Sequence, residues 1–144
     1  MRKYKTNSYE ETVALGERIA KELPKGSVIA FLGGMGMGKT AFTTGLARGL
    51  SIDADVSSPT FAICNTYMGN ANTLYHFDMY RVEGWDDLYS TGFFDFLGTD
   101  AYIAVEWSEN IYGALPDDSV IVEITKTDEN TREFKIYRKA EVQA

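Results

Sequence analysis

The sequence is poor in the residues that stabilise small folds covalently or through zinc. Among its 144 residues are one cysteine, one histidine and three prolines. Cys64 therefore has no partner for an internal disulfide, and the chain offers no cysteine pair or histidine cluster for structural zinc. We interpret Cys64 as a core residue and expect apolar packing to hold the fold.

Long hydrophobic runs are also missing. A membrane-spanning helix needs about 20 consecutive apolar residues, and no stretch of the sequence comes near this length. The first residues lack the apolar segment of a secretory signal. We therefore expect a cytoplasmic protein without membrane contact. With 44% hydrophobic residues, the chain suits one compact domain over residues 1–144.

Basic residues are scarce in the middle of the chain. Residues 78–118 contain ten acidic residues and a single basic one, Arg81. A stretch of this sign repels a phosphate backbone, which disfavours a free-standing nucleic-acid binder. Most of these acids fit a solvated surface, while some could dock a basic protein partner or bind a divalent cation.

The first half of the chain alternates between strand and helix patterns. RKYKT predicts a short strand, and Ser8 with Glu11 forms a capping box that opens a helix to about Leu23. SVIAFLG is a continuous apolar run, typical of a strand buried on both faces. In the following KTAFTTGLARGL, the small residues beside the apolar stripe predict a helix lying close to a sheet.

The second half is richer in strand patterns. AICNTYM and TLYHFD, joined by GNAN, predict a hairpin, and AYIAVEW predicts another buried strand. SVIVEITK and TREFKIYR predict a final antiparallel pair. Together these patterns predict an α/β fold, a P-loop NTPase-like three-layer architecture with a mixed sheet whose core is parallel and gains antiparallel strands.

The loop after SVIAFLG matches the Walker A pattern, Gly33-x-x-x-x-Gly38-Lys39-Thr40. It stands between a predicted buried strand and a predicted helix, the context that this motif requires. Lys39 would reach the β- and γ-phosphates, and the Thr40 hydroxyl would bind Mg²⁺. A plain turn is disfavoured because it leaves the lysine and threonine unexplained. The predicted nucleotide-binding residues are Gly33, Gly34, Met35, Gly36, Met37, Gly38, Lys39, Thr40 and Ala41.

Two further segments carry groups suited to phosphate chemistry. SSPTF, residues 57–61, follows the helix after the loop, and its Thr60 hydroxyl could sense the γ-phosphate or its Mg²⁺. An ordinary proline turn is the alternative. Asp78 and Glu106 each come at the carboxyl end of a predicted strand, where α/β sheets present ligand groups.

Other P-loop classes compete for this loop. A kinase usually closes arginines over the transferred phosphate, but Arg81 is the only arginine between Arg48 and Arg132. Two short GTPase patterns occur, DFLG from Asp95 and TKTD from Thr125. Their predicted surroundings are a helical acidic segment and a strand end with a hairpin turn, which do not suit those motifs. A GTPase switch and a small-metabolite kinase stay as alternative functions.

Taken together, the motifs resemble one family along nearly the whole chain. The resemblance rests on LGERIAKEL, LGGMGMGKTAFTTGLARGL, SSPTF, YHFDMYR and AVEWSENI in this order and spacing. The chain resembles the TsaE family, also called YjeE. These are the P-loop ATPases that bacteria require for threonylcarbamoyl modification of adenosine 37 in tRNA. The resemblance implies Mg²⁺ as cofactor, ATP as substrate, slow hydrolysis alone, and the partners TsaD and TsaB, with tRNA reached through the complex.

The resemblance also assigns roles to residues. Asp78 corresponds to a Walker B-like aspartate, and Glu106 to a glutamate that either binds the metal or orients the attacking water. Lys39, Asp78, Glu106 and Thr60 form the predicted catalytic set, and Thr40, Asp78 and Glu106 the predicted metal ligands. Tyr9 and Arg132 are expected to flank adenine. Gly34 and Ala41 depart from the family pattern, where an acidic residue and a second threonine are usual.

Three neighbours of these residues have more than one interpretation. His76 precedes Asp78 by two positions and shares its strand face, and a structural role is favoured over a metal role because Mg²⁺ prefers oxygen ligands. Trp107 could shield the site, face a partner or pack in the core. Arg81 could steady phosphates, pair with an acid or contact a partner.

Overall fold

A computed structural model describes residues 1–33, 38–57, 59 and 63–142. The strands are β1 (Arg2–Thr6), β2 (Val28–Leu32), β3 (Cys64–Met68), β4 (Thr73–Asp78), β5 (Tyr102–Glu106), β6 (Val120–Lys126) and β7 (Arg132–Arg138). The α-helices are α1 (Tyr9–Ala20), α2 (Lys39–Gly49), α3 (Trp85–Ser90) and α4 (Phe93–Phe96), and two 3₁₀ segments cover Ser108–Ala114 and Lys139–Val142.

The strands form one mixed sheet in the order β1-β7-β6-β2-β5-β4-β3. The central pairs β6–β2, β2–β5 and β5–β4 are parallel, whereas β1–β7, β7–β6 and β4–β3 are antiparallel. The predicted fold class, a parallel core with added antiparallel strands, is therefore confirmed. Because β2, β4 and β5 run in the same direction, their carboxyl ends meet at one edge of the sheet.

Side chains of the central strands pack in two hydrophobic cores, one on each face of the sheet. On β2, Ile29 and Phe31 enter the core beneath α1 and α2. Val28 and Ala30 enter the opposite core, which α3 and the 108–114 segment cover. Both faces of β2 are therefore buried, which explains why its sequence is continuously apolar rather than alternating.

The first helix begins as predicted and ends earlier. The Ser8 hydroxyl accepts a hydrogen bond from the Glu11 N–H at 3.1 Å, while the Glu11 carboxylate accepts one from the Asn7 N–H at 2.9 Å. The α-helix stops at Ala20 rather than near Leu23, and the Leu23 N–H closes a tight turn onto the Ala20 carbonyl. The cause is Pro24, because a residue before proline is disfavoured in helical conformation.

The helix α2 lies on the sheet as predicted, but its glycines bring it close to α1 and not to the sheet. A methyl group at Gly45 would lie within 3.0 Å of the Val13 carbonyl oxygen, the Glu17 nitrogen and the Gly16 Cα. The apolar stripe of α2 faces the sheet instead. Its Phe42 is fully buried, with ring centroids 5.6 Å from Phe31 and 5.7 Å from Phe134.

The predicted hairpins are present. The first joins β3 to β4, and the second joins β6 to β7, where the Thr127 N–H donates to the Thr131 carbonyl at 3.2 Å. Over the part of the chain that the structure describes, no helix is both long enough and apolar enough to span a bilayer.

We predict that Gly45→Ala destabilises the protein by about 2 kcal/mol, measured by urea denaturation. The added methyl would meet backbone atoms of α1, which no side-chain rotation can relieve. The clash outweighs the gain of about 1 kcal/mol in helix propensity.

The matched control is Gly113→Ala, because Gly113 is exposed and an added methyl group there meets no described atom within 4 Å. Its free energy of unfolding should stay within about 0.5 kcal/mol of the wild type. Equal stability of the Gly45→Ala variant would contradict the close helix crossing.

Candidate functional site

The described ends of the glycine loop meet at the carboxyl edge of the sheet. Gly33 follows β2 with φ 144°, and Gly38 precedes α2 with φ 98°, conformations that favour glycine. Lys39 is the first residue of α2, and its ammonium donates to the Gly33 carbonyl at 3.4 Å. The lysine side chain therefore reaches back to Gly33, directly after the end of β2.

Glu106 ends β5 and lies between Lys39 and His76. Its Oε1 is 3.7 Å from the Lys39 Nζ, and its Oε2 is 2.5 Å from the His76 Nε2. Glu106 is 4% exposed, Lys39 6% and His76 0%. A buried charge is costly unless it is paired and hydrogen-bonded. The three side chains thus form one buried polar cluster in which each carboxylate oxygen has its own partner.

Asp78 lies next to this cluster because β4 and β5 are in register. Asp78 and Glu106 are paired residues of the two strands, and the Met79 N–H donates to the Glu106 carbonyl at 3.0 Å. The Asp78 Oδ1 accepts the Tyr80 N–H at 2.9 Å, which orients the half-buried carboxylate. The two predicted carboxylates therefore lie side by side at the edge where Lys39 begins its helix.

Asp78 and Thr40 carry the oxygen atoms that a magnesium ion shared with phosphate would use as ligands. Mg²⁺ prefers oxygen ligands and is usually held by one or two carboxylates plus substrate phosphates. Among the described residues, one carboxylate oxygen of Asp78 accepts a hydrogen bond, from the Tyr80 N–H. Thr40 lies in the first turn of α2. Glu106 is already engaged by Lys39 and His76. Among the residues described, no three His, Cys, Asp or Glu side chains form a preformed cage.

Trp107 covers the lysine. Its ring centroid lies 5.1 Å from the Lys39 Nζ and 4.9 Å from the Tyr80 ring, and the residue is half-buried. Its φ of 57° is a left-handed conformation that costs energy for a bulky residue and is concentrated at functional sites. The next residue anchors the turn, because the Ser108 hydroxyl donates to the Phe31 carbonyl at 2.6 Å. Trp107 also packs against the core on the α3 side of the sheet, so its placement matches both the shielding and the core-packing interpretations.

The first helix and the last hairpin meet at Gly38. A methyl group added there would lie 3.9 Å from the Arg132 Cγ and 3.9 Å from the Thr12 Cγ2. Arg132 also donates from Nη1 to the Thr131 carbonyl at 3.2 Å. Tyr9, one turn before Thr12, is 58% exposed. The two elements expected to flank adenine are thus next to the loop, and binding of the base by Tyr9 and Arg132 stays a prediction.

Several predicted site residues lie outside the described ranges: Gly34, Met35, Gly36, Met37 and Thr60. Of the flanking residues, Thr40 is half-buried and Ala41 is buried in the first turn of α2. Ser57 contacts the sheet through a hydrogen bond, because its N–H donates to the hydroxyl of Tyr67 in β3 at 3.1 Å. The roles of the loop residues and of Thr60 stay predictions.

The sequence did not indicate the contact between His76 and Glu106. The spacing of His76 and Asp78 placed both on one strand face, but the partner of the histidine depends on the register between β4 and β5. In that register His76 pairs with Ala104, which makes Glu106 its diagonal neighbour on the same face. The available signal for a role of His76 was that the single histidine lies two residues before a candidate ligand, Asp78, within a predicted strand.

The two GTPase-like patterns lie in the surroundings that the sequence predicted. Asp95 lies within α4, whereas the aspartate of a DxxG motif ends a buried strand. Thr125 and Lys126 are the last residues of β6, and the hairpin turn follows them. Neither pattern therefore has the context of a nucleotide-binding motif.

Cys64, at the start of β3, is half-buried and packs against the core on the α3 side of the sheet. Burial raises the pKa of its thiol to about 11, because the thiolate would lose its hydration. A cysteine with such a pKa is a poor nucleophile, so Cys64 is not a candidate catalytic group.

The fold and this site define a P-loop NTPase-like α/β protein. A family model described as "Threonylcarbamoyl adenosine biosynthesis protein TsaE" matches residues 6–134. The chain therefore belongs to the TsaE family of threonylcarbamoyladenosine biosynthesis proteins.

Individual relatives agree with this assignment. The chain is 41% identical to the TsaE protein of Aquifex aeolicus, covering 92% of each chain, and 31% identical to that of Treponema pallidum, covering 91% of this chain and 96% of the relative. A crystal structure of Bacillus subtilis YdiB superposes with a TM-score of 0.78 at 31% identity, over 95% of this chain and 84% of YdiB.

We predict that Cys64 is alkylated by iodoacetamide at pH 8 about 100-fold more slowly than an unperturbed thiol, because its thiolate fraction is lower by that factor. Mass spectrometry of timed samples measures the rate. The same protein unfolded in urea is the control and should react like a free cysteine. Fast alkylation of the folded protein would contradict the burial of the thiol.

Proposed function

We propose that this chain is a Mg²⁺-dependent ATPase that acts in threonylcarbamoyladenosine modification of tRNA position 37, within an assembly containing TsaD and TsaB. The family supports the pathway, since its members are described as threonylcarbamoyladenosine biosynthesis proteins. The hydrolytic chemistry is our inference from the site.

The observation that carries the proposal is the ion pair between Lys39 and Glu106, with 3.7 Å between Nζ and Oε1, because Lys39 is the lysine of the Walker A pattern. Lys39 begins the helix after the loop, so its ammonium is available to the β- and γ-phosphates of a nucleotide. A phosphate chain brings more negative charge than one carboxylate, and the lysine would exchange Glu106 for it. Glu106 would then face the γ-phosphate without its cation.

Hydrolysis requires a water aligned with the γ-phosphate and compensation of the phosphate charge. Glu106 is suited to orient that water or to bind the metal, and Asp78 and Thr40 are suited to hold Mg²⁺. The ion would neutralise charge on the phosphate oxygens. Trp107 above Lys39 would keep bulk water from the reacting group, which strengthens electrostatic interactions.

ATP is the proposed substrate rather than GTP, because neither GTPase-like pattern stands where it could read guanine or sense a γ-phosphate. A kinase is disfavoured by the shortage of arginines, since Arg81 is an exposed residue and the stretch around it is acidic.

We predict that hydrolysis of ATP rises when the TsaB–TsaD pair is added, and that Lys39→Ala and Glu106→Ala each lower the stimulated rate about 100-fold or more. Lys39→Ala removes the charge that contacts phosphate, and Glu106→Ala removes the carboxylate beside it. Phosphate release with ATP and with GTP, with and without the pair, measures the effect.

The matched control is Asp100→Ala, which removes an exposed carboxylate near the opposite end of β5 and should hydrolyse ATP at the wild-type rate. No stimulation by correctly paired partners would contradict the proposed assembly. Preference for GTP would instead support a switch GTPase, and phosphate transfer to a metabolite would support a kinase.

The protein surface around α3 supports a role in an assembly. We define the α3 surface as Glu83, Trp85, Asp86, Asp87 and Tyr89. Trp85 and Tyr89 are 61% and 64% exposed, and both rings pack on Phe94, with centroid distances of 6.3 and 4.8 Å. Exposed aromatic rings held in place by packing are typical of interface anchors, and the three exposed acids favour a basic partner surface.

We predict that Trp85→Ala raises the concentration of the TsaB–TsaD pair needed for half-maximal stimulation about tenfold, while unstimulated hydrolysis stays unchanged. Loss of one central aromatic anchor typically costs about this much in affinity. Met68→Ala is the control, since Met68 is 73% exposed on β3 and outside the α3 surface. An unchanged half-maximal concentration for Trp85→Ala would exclude this surface from the interface.

A further inference from the structure

The single histidine of the chain is fully buried below the site. His76 and Asp78 lie on the same face of β4, and the register with β5 puts Ala104 and Glu106 on that face as well. The His76 Nε2 reaches diagonally to the Glu106 Oε2 at 2.5 Å. This contact joins the two strands directly beneath the carboxyl edge of the sheet.

The two partners of Glu106 are held differently. The lysine contact, at 3.7 Å, is longer than an N–H···O hydrogen bond, and Lys39 must leave it to reach phosphate. The histidine contact is short, and His76 sits within a strand, where it cannot follow the nucleotide. Once Lys39 turns away, a carboxylate that is 4% exposed depends on His76 for its remaining hydrogen bond.

The imidazole has no competing polar contact among the described residues. Its Nδ1 is buried without a hydrogen-bond partner there, and the nearest ring is that of Tyr67, with centroids 6.4 Å apart. Because the Nε2 atom faces a carboxylate oxygen, we assign the proton of this hydrogen bond to Nε2. Buried polar groups in native proteins are rarely left unsatisfied, so a histidine with one partner requires an explanation.

We propose that His76 is the positioning residue that keeps the Glu106 carboxylate oriented when Lys39 leaves it for the nucleotide phosphates. The inference rests on the proposed ATPase function and deepens it. His76 does not touch substrate and acts only through Glu106. A hydrogen bond that persists through the exchange keeps Glu106 in the geometry needed for the attacking water, and reactions of this kind are sensitive to small misplacements.

The kinetic test compares His76→Leu with His76→Gln in TsaB–TsaD-stimulated ATP hydrolysis. His76→Leu removes the donor, and we expect kcat to fall about 10- to 100-fold while KM for ATP changes little, as for other residues that orient a functional group. His76→Gln restores an N–H donor and should recover much of kcat. Phe77→Leu is the control, because Phe77 is equally buried on the same strand but faces the opposite core.

The kinetic result can overturn the proposal in two ways. A His76→Leu variant with wild-type kcat would show that Glu106 needs no support from the histidine. Equal loss of kcat in His76→Leu, His76→Gln and Phe77→Leu would show that only the packing of β4 matters. Urea denaturation of all three variants identifies any variant whose loss of activity reflects unfolding.

A second test does not depend on hydrolysis. Because the chain has one histidine, the imidazole nitrogens can be assigned by NMR of protein labelled with ¹⁵N-histidine. We expect a protonated, hydrogen-bonded Nε2 in the free protein, in Lys39→Ala, and with Mg²⁺ and a non-hydrolysable ATP analogue. In Glu106→Ala this resonance should shift strongly.

An Nε2 that lacks a proton, or a resonance that disappears in Lys39→Ala or when the analogue binds, would overturn the proposal. If the analogue does not bind, the proposed ATPase function fails separately. The Lys39→Ala spectrum still decides in that case whether His76 holds Glu106 without the lysine.

Discussion

The arrangement of the site depends on one buried carboxylate. Glu106 lies at the end of a central parallel strand, almost fully removed from water, and is stabilised by an ammonium on one oxygen and an imidazole on the other. Removing either partner leaves a buried charge incompletely compensated, which is costly in a low-dielectric interior. The positions of Lys39, His76 and β5 are therefore coupled. A phosphate bound by Lys39 would compete with Glu106 for the lysine and would thereby act directly on this coupled group of residues.

The rest of the fold supplies rigid positions for these groups. Parallel strands β2, β5 and β4 bring the loop, Glu106 and Asp78 to one edge, and cores on both faces hold the strands in register. The glycine contact between α1 and α2 fixes the helix that carries Lys39, and α1 in turn reaches Gly38 through Thr12. Packing far from the carboxylates thus determines the position of Lys39 at the start of α2.

Much of this was predictable from local pattern. The buried strands, the strand–loop–helix unit, both hairpins and the candidate residues Lys39, Asp78 and Glu106 follow from apolar periodicity and from glycine spacing, which depend on neighbouring residues only. The end of α1 was placed too late because the pattern continued to Leu23, while Pro24 acts on the preceding backbone. The small residues of α2 indicate a close approach, but their spacing does not identify α1 as the partner.

The sequence by itself determined the chemistry available: a glycine-rich Walker A pattern with a lysine and a threonine, two carboxylates at strand ends, one histidine and an acidic middle stretch. Those identities were enough to indicate the TsaE family. Only the tertiary structure decided which groups meet, namely that Glu106 lies between Lys39 and His76 and that Trp107 covers the lysine. The reason is physical: these contacts join residues 30 to 68 positions apart, and the register of parallel strands and the crossing of two helices bring them together. The local periodicity of the sequence determines neither the strand register nor the helix crossing.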